Sequence, residues 1–446
     1  MLRACIQDLR SSGADIVGAA DLGGSEKRGS EAADLGVEVC SGDGPFVALR
    51  DALDRFAPDI VVDLSDAPIA DGPTRSLLAA YALADGCEYR GADFVYTPPP
   101  APRVATKPSI SVIGTAKRAG KTAIASAAAR ALAAQGRPPV LITMGRGGPG
   151  EPETIEPASG SLDVASLLAR VEDGHHAASD HVEDALTSGV TTIGTRRAGG
   201  GLAGTPASST FLAGVEIANA RSESILIFEG SGTAIPPVHA DATVCVVPGT
   251  SDPAVALDHL GVLRCLLADL VVITVEPVPP PMGTPLGVAG LPFQPDGGAV
   301  DVVDSSDIAA GIRSVVPGVP VLRSVLRPWP LEPVEGRSVF FATTAPDPVA
   351  AWQASELASR HGARIVGWTG ELARRDPLLD VLESTRADVL VTELKAGAVD
   401  VAARVAIDRG MEVVFCDNRP DPSDVFDAAI SAVADQATER FSVPCP

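Results

Sequence analysis

One segment constrains this chain more than any other. An apolar β-branched run, Ser109-Ile-Ser-Val-Ile113, enters Gly114-Thr115-Ala116-Lys117-Arg118-Ala119-Gly120-Lys121-Thr122, and an alanine-rich helical stretch over 123–135 follows and stops at Gly136. Strand, glycine loop and helix in that order is the setting a phosphate-binding loop requires. In such a loop Gly114, Thr115 and Gly120 offer backbone N–H groups to phosphates beside the positive helix terminus. Lys121 then reaches the β and γ oxygens of ATP, and the Thr122 hydroxyl ligates Mg²⁺. The chain has only five lysines, and two of them, Lys117 and Lys121, stand four apart in this loop.

Composition matters here because the loop is a local exception. Lys plus Arg number 35 against 57 Asp plus Glu, a net charge of -22. Duplex binding needs clustered cations, so nucleic acid is not an expected partner. If the chain handles anions, it must do so in a local basic pocket set in an acidic surface, where low-dielectric walls can focus the field. With 46% hydrophobic residues and a mean hydropathy of +0.20, disorder is excluded. No apolar run reaches the ~18 residues of a membrane span, and Asp8 interrupts any secretory signal at the start. The expectation is a cytoplasmic enzyme without membrane contact. Seven dispersed cysteines with no C-x-x-C pair read as reduced structural thiols, not a zinc site.

The fold class read from the pattern is α/β: three Rossmann-like blocks with a central parallel P-loop sheet. Proline-rich stretches at 97–108, 275–285 and 317–333 are linker candidates, and the expected domains are 1–107, 108–335 and 336–446. The first block shows strands at 15–20, 59–64 and 94–96 and helices at 45–56 and 73–84. It opens on a helical segment, 2–10, where such a unit ordinarily opens on a strand, so an earlier strand is expected to be missing. The middle block carries strands at 109–113, 139–143, 191–193, 224–228, 242–247 and 270–275. The last has strands at 338–342, 363–368, 389–392 and 412–416 between helices at 349–360, 378–385, 399–409 and 425–437. Runs apolar on both faces that alternate with helices argue a parallel sheet covered on both sides.

A second carboxyl edge belongs beside the loop. The strand ending Ile225-Leu-Ile-Phe228 runs into Glu229-Gly-Ser-Gly232, which puts Glu229 where a carboxylate can hold Mg²⁺. G-T-x-x-x-x-G-K-T together with this Glu-Gly-x-Gly strand end resembles dethiobiotin synthetase and its relatives. Further motifs are more specific: Met144-Gly-Arg-Gly-Gly-Pro-Gly-Glu-Pro-Glu153, Gly174-His-His-Ala-Ala-Ser-Asp180, Thr191-Thr-Ile-Gly-Thr-Arg-Arg-Ala-Gly-Gly-Gly201, Phe228-Glu-Gly-Ser-Gly-Thr-Ala-Ile-Pro-Pro237, Ala387-Asp-Val-Leu-Val-Thr-Glu-Leu-Lys-Ala396 and Asp417-Asn-Arg-Pro420. Over roughly residues 85–425 this ordered set is similar to the cyclic 2,3-diphosphoglycerate synthetase family. The resemblance implies a ligase that uses ATP and Mg²⁺ to join the two phosphates of 2,3-diphosphoglycerate into an internal anhydride, releasing ADP and phosphate. The family pattern begins with a strand and an acidic Asp-Gly-Glu-His-type segment, and nothing like it precedes Leu2.

Arg146 sits among glycines after the second central strand, and Arg196 and Arg197 stand between a strand and Gly199-Gly-Gly201. Guanidinium forks match phosphate oxygens in pairs, so these three are expected on the acid substrate, with Lys395 at the edge of the last block. Lys117, Arg118, Lys121 and Glu229 are the expected catalytic groups, with Thr122 and Glu229 on the metal. His176 is a candidate phosphate contact, although His175, His176, Asp180 and Asp184 read equally well as capping and surface groups. The other histidines read as structural. Gly199, Gly201 and Gly204 form a weak dinucleotide-type match. A dethiobiotin synthetase-like carboxylate-activating ligase shares the loop and Glu229. An ATP-driven nucleotide switch would need a lysine at position 116, where alanine stands. A homodimer is compatible with the sequence, which shows no surface for it.

Overall fold

A computed structural model describes residues 2–23, 35–157, 162–175, 179–249, 257, 260–277 and 304–443. The first block holds helices α1 (Leu2–Ser11), α2 (Pro45–Phe56) and α3 (Gly72–Ala84) with five short strands: β1 (Ala19–Asp21), β2 (Val39–Ser41), β3 (Ile60–Val62), β4 (Glu88–Arg90) and β5 (Val95–Tyr96). They form two small sheets, β1-β2 and β3-β4-β5. Leu49, Leu53, Leu78 and Leu83 of α2 and α3 pack with Leu260 and Leu263, fastening the block to the middle of the chain.

The middle of the chain gives β6 (Ser109–Gly114), α4 (Lys121–Ala134), β7 (Pro139–Gly145), β8 (Glu153–Ile155), α5 (Val164–Glu172), α6 (Asp180–Ser188), β9 (Thr192–Ala198), β10 (Ser208–Ser209), α7 (Phe211–Asn219), β11 (Ile225–Glu229), β12 (Ala242–Pro248) and β13 (Leu270–Val275). After it come β14 (Val321–Pro330), β15 (Ser338–Ala342), β16 (Arg364–Thr369), β17 (Val389–Glu393) and β18 (Glu412–Asp421). β6 to β18 join in one 13-stranded sheet with the path β10-β9-β7-β11-β6-β12-β13-β14-β18-β17-β15-β16 and β8 beside β9. Its central strands are parallel and buried on both faces, so they need apolar residues throughout.

Here the structure corrects the linker expected over 317–333. That stretch holds β14, which pairs in parallel with β13 through Val321–Val325 and antiparallel with β18 through Val325–Pro330. Pro328 and Pro330 fit because the second half of β14 has a ladder partner on one side only, so a missing N–H costs no bond there. The linker expected at 275–285 lies mostly outside the described residues. The stretch 97–108 has no regular structure and is tied to α7 by Thr106 N–H on Asn219 Oδ1 (3.0 Å) and Asn219 Nδ2 on the Val104 carbonyl (2.8 Å). The strand expected at 15–20 forms at Ala19–Asp21, and the helix expected at 399–409 begins as a π-helix, Ala398–Ala403.

The last helix, Ser423–Ser442, returns to the centre. Its Phe426, Ile430, Val433 and Ala437 pack with Ile124 and Leu132 of α4 and with strands β6, β11 and β12. On the opposite face Phe211 and Val215 of α7 cover β7 and β11, with the Phe211 and Phe228 rings edge to face at 5.7 Å. Among the described residues no helix is long and apolar enough to cross a membrane.

Candidate active site

The glycine loop is shaped by two close approaches. Gly120, at φ +90°, caps α4, and a Cβ there would stand 2.7 Å from Leu326 Cδ1 of β14. A Cβ on Gly114 would meet Lys121 Cδ and the Val246 carbonyl, each at 3.0 Å. Between them Arg118 holds a left-handed φ of 62°, uncommon for a side chain of its size. Lys121 is 7% exposed and donates from Nζ to the Ala116 carbonyl at 2.9 Å. Burial lowers its pKa, against the pull of Glu229 and Asp180.

Glu229 ends β11, which lies between β6 and β7. Its Oε1 accepts from the Thr122 hydroxyl at 2.8 Å, while its Oε2 is buried without a partner. Asp184 of α6 stands next to it, accepting from Ser126 Oγ of α4 (3.2 Å) and from the Thr143 hydroxyl of β7. Burial pushes both carboxyls up, and the neighbouring Glu229 pushes Asp184 further.

A second cluster lies one turn away. Asp180, raised by burial, lies within electrostatic reach of Lys121, Lys395 and Arg197. Three cations that are distant in the sequence, together with the adjacent His181, therefore act on one partly buried carboxyl. Glu183 pairs with Lys395 Nζ at 3.3 Å; its burial pushes it up to about 8, against the pull of that lysine. Lys395 is held above the ordinary lysine value by Glu183 and then Glu393. Glu393 accepts from Asn418 Nδ2 (2.7 Å) and from the Thr344 N–H and hydroxyl (3.1 Å each). Burial opposes its charge, but Lys395 and these donors outweigh it and hold Glu393 low. Asp417 of the same strand as Asn418 pairs with Arg130 of α4 at 2.9 Å, so the last block grips the loop helix directly.

The three arginines separate. Arg146 and Arg196 are exposed, whereas Arg197 is 4% exposed. Arg197 donates to the Gly199 carbonyl and, through Nη2, to the Ser231 carbonyl at 2.8 Å; its Nε is buried without a partner. Burial and then Arg146 lower its pKa. Lys117 and Arg118 are exposed on the loop. His176 lies outside the described residues. Asp184, expected as a capping or surface group, is a buried carboxyl instead, because α6 packs against α4, β7 and β9, whereas Asp180 in the first turn of α6 is only partly buried. The sequence reading also passed over Glu183, Arg130 and Arg264. A signal for the acids existed: Asp180, Asp184 and Thr187 recur at i, i+4 and i+7, which puts them on one helix face.

A buried parallel strand, a glycine loop with a folded-back lysine, and a hydroxyl–carboxylate pair at the adjoining strand end define a P-loop nucleotide-dependent enzyme. Family models extend this over the chain: the N-terminal domain of cyclic 2,3-diphosphoglycerate synthetase matches residues 1–97, its P-loop domain 109–281 and its C-terminal domain 330–419. The chain belongs to the cyclic 2,3-diphosphoglycerate synthetase family. A protein of that name from Rubrobacter xylanophilus is 42% identical over 413 residues, 92% of this chain and 88% of the relative. One from Methanothermus fervidus is 38% identical over 443 residues, covering 96% and 92%, and one from Thermococcus gammatolerans is 41% identical over 408 residues, covering 90% and 86%. The carboxylate-activating ligase and the nucleotide switch are not favoured beside these matches.

Proposed function

We propose that this enzyme uses ATP and Mg²⁺ to close 2,3-diphosphoglycerate into its cyclic anhydride, releasing ADP and phosphate. The observation that carries the reading is the glycine loop with Lys121 folded onto the Ala116 carbonyl beside the Thr122–Glu229 pair, with Lys395 brought to α6 from the last block, in a chain of net charge -22. Ligands of open α/β sheets sit at this carboxyl edge. Two polyanions must meet there, so the main energetic obstacle is their repulsion.

In the reaction the γ-phosphoryl passes to an oxygen of one substrate phosphate and the bond to ADP breaks. An oxygen of the neighbouring phosphate then attacks the phosphorus still joined to the carbon skeleton. A P–O–P ring link forms, and the transferred group leaves as orthophosphate. No protein nucleophile is needed. Gly114, Thr115 and Gly120 would line the phosphates of ATP with N–H groups, and Lys121 would exchange the Ala116 carbonyl for the β and γ oxygens. Lys117 and Arg118 lie on the loop between the two anions. Arg146, Arg196, Arg197 and Lys395 would hold the acid, with His176 as a further phosphate contact.

The residues fit magnesium. Thr122 and Glu229 supply hard oxygens, and Glu229 Oε2 is buried with no donor bonded to it and the Asp184 carboxyl beside it, a like-charge pairing that a cation would relieve. Bound there, the ion would neutralise phosphate charge. We read residues 1–107, 108–335 and 336–446 as three contributing units, the last supplying Lys395. The test is phosphorus NMR of the purified chain with ATP, Mg²⁺ and 2,3-diphosphoglycerate. A cyclic anhydride resonance appearing in step with ADP supports the reading; ATP hydrolysis with the acid unchanged sinks it.

A further inference from the structure

The strands that carry Arg197 and Glu229 each end in a glycine-rich loop, 199–204 after β9 and 230–234 after β11. One side chain ties both loops together from beneath. Arg264, on the short helix Gly261–Leu266, is 2% exposed. Its Nε donates to the Thr233 carbonyl at 2.9 Å, as does Nη2; Nη1 donates to the Leu260 carbonyl at 2.7 Å; and both terminal nitrogens share the Leu202 carbonyl at 3.3 Å. No acidic side chain pairs with it among the described residues. A buried cation without a counter-ion is costly unless dipoles replace the water it loses, and here three backbone carbonyls do so.

The fit is specific to a planar fork. Gly204, at φ +93°, leaves room for it: a Cβ there would lie 3.0 Å from Arg264 Nη2 and 2.8 Å from Ile235 Cγ1. The loops also touch directly, through Ile235 N–H on the Gly204 carbonyl at 2.9 Å. Arg197 spans the same pair of loops, donating to Gly199 of one and Ser231 of the other. Two guanidinium groups thus clamp the loops, and only Arg197 has Asp180 within reach. A lysine at 264 would place one ammonium where a rigid fork meets three carbonyls.

We infer that Arg264 is a positioning residue, which fixes the two loops so that Arg197 is presented to the acid substrate at a set distance from Glu229. This rests on the proposed function for the identity of the acid. Arg264 spends its donors on backbone carbonyls of the two loops and its own helix, so its removal should act on acid affinity and leave the nucleotide loop alone.

The experiment is calorimetric binding of ADP and of 2,3-diphosphoglycerate, each alone, to the wild type, Arg264→Lys and Gly204→Ala, with thermal melting of each. The Gly204→Ala variant keeps the arginine but crowds its fork, and covers the case in which Arg264→Lys does not fold. Acid affinity should fall about ten- to a hundredfold in both, the scale of one charge-assisted contact to Arg197, with ADP affinity nearly unchanged. Lower melting temperatures with unchanged acid affinity would overturn the inference, as would equal losses of ADP and acid. If the wild type binds the acid but forms no cyclic product, the reaction reading fails while the binding comparison still decides the role of Arg264.

Discussion

Lys121 and Lys395 come to the start of α6 by different routes, both close enough to act on Asp180 electrostatically. Lys121 is placed by a loop of six residues between a strand and a helix, so its position follows from local glycine geometry. Lys395 comes from the edge of β17 and meets α6 only because β14 and β18 join two halves of one sheet. The first lysine belongs to a motif; the second belongs to an assembly. Acid handling should therefore depend on the β14–β18 junction more than nucleotide handling does, although Leu326 of β14 and Asp417 of β18 also brace the loop and its helix.

The largest effect should come from the motif. Lys121→Ala and Thr122→Ala should abolish turnover, and circular dichroism should show the fold retained; normal turnover in either would break the loop assignment. Glu229→Gln should lower turnover by roughly 10², the scale of one preorganised electrostatic group, and raise the magnesium needed for half-maximal rate. An unchanged magnesium titration would return Glu229 to a structural role. Lys395→Ala should weaken the acid by about ten- to a hundredfold, as the loss of one charge-assisted contact does, with ATP binding nearly unchanged by calorimetry. Loss of ATP binding instead would merge the two regions into one site.

The smallest effect concerns pH. Burial pushes the Glu183 carboxyl up to about 8 in the folded chain, against the pull of Lys395. The folded state thus keeps a proton that the unfolded chain has released, so this group's stabilisation is complete below the ordinary carboxylate range and is lost as pH rises through about 8. Glu183→Gln should flatten the fall in melting temperature across that window. A parallel fall in both proteins would place the titration elsewhere.

How much was legible follows the same division. The loop, the central strands and the Thr122–Glu229 neighbourhood could be read because strand, glycine and helix follow one another in the chain and apolar runs mark buried parallel strands. β14 was hidden by its prolines, which normally signal a linker; only the one-sided pairing of its second half admits them. Asp184 carried the composition of a helix start, and its burial depends on α4 and β7, which no local pattern announces. Arg264 was one arginine among thirty. Its three carbonyl partners include Leu202 and Thr233, far away in the chain, so nothing near it in the sequence marks it.

The division of labour between loop and arginines is tested most directly by titrating ATP and 2,3-diphosphoglycerate separately into Lys121→Ala and Arg196→Ala. Arg196 is exposed, so its removal should not disturb the core. The account predicts that Arg196→Ala loses about ten- to a hundredfold in acid affinity and keeps ATP, while Lys121→Ala loses ATP and keeps the acid. An Arg196→Ala protein that loses ATP and binds the acid as before would contradict it, and would move these arginines to the nucleotide side.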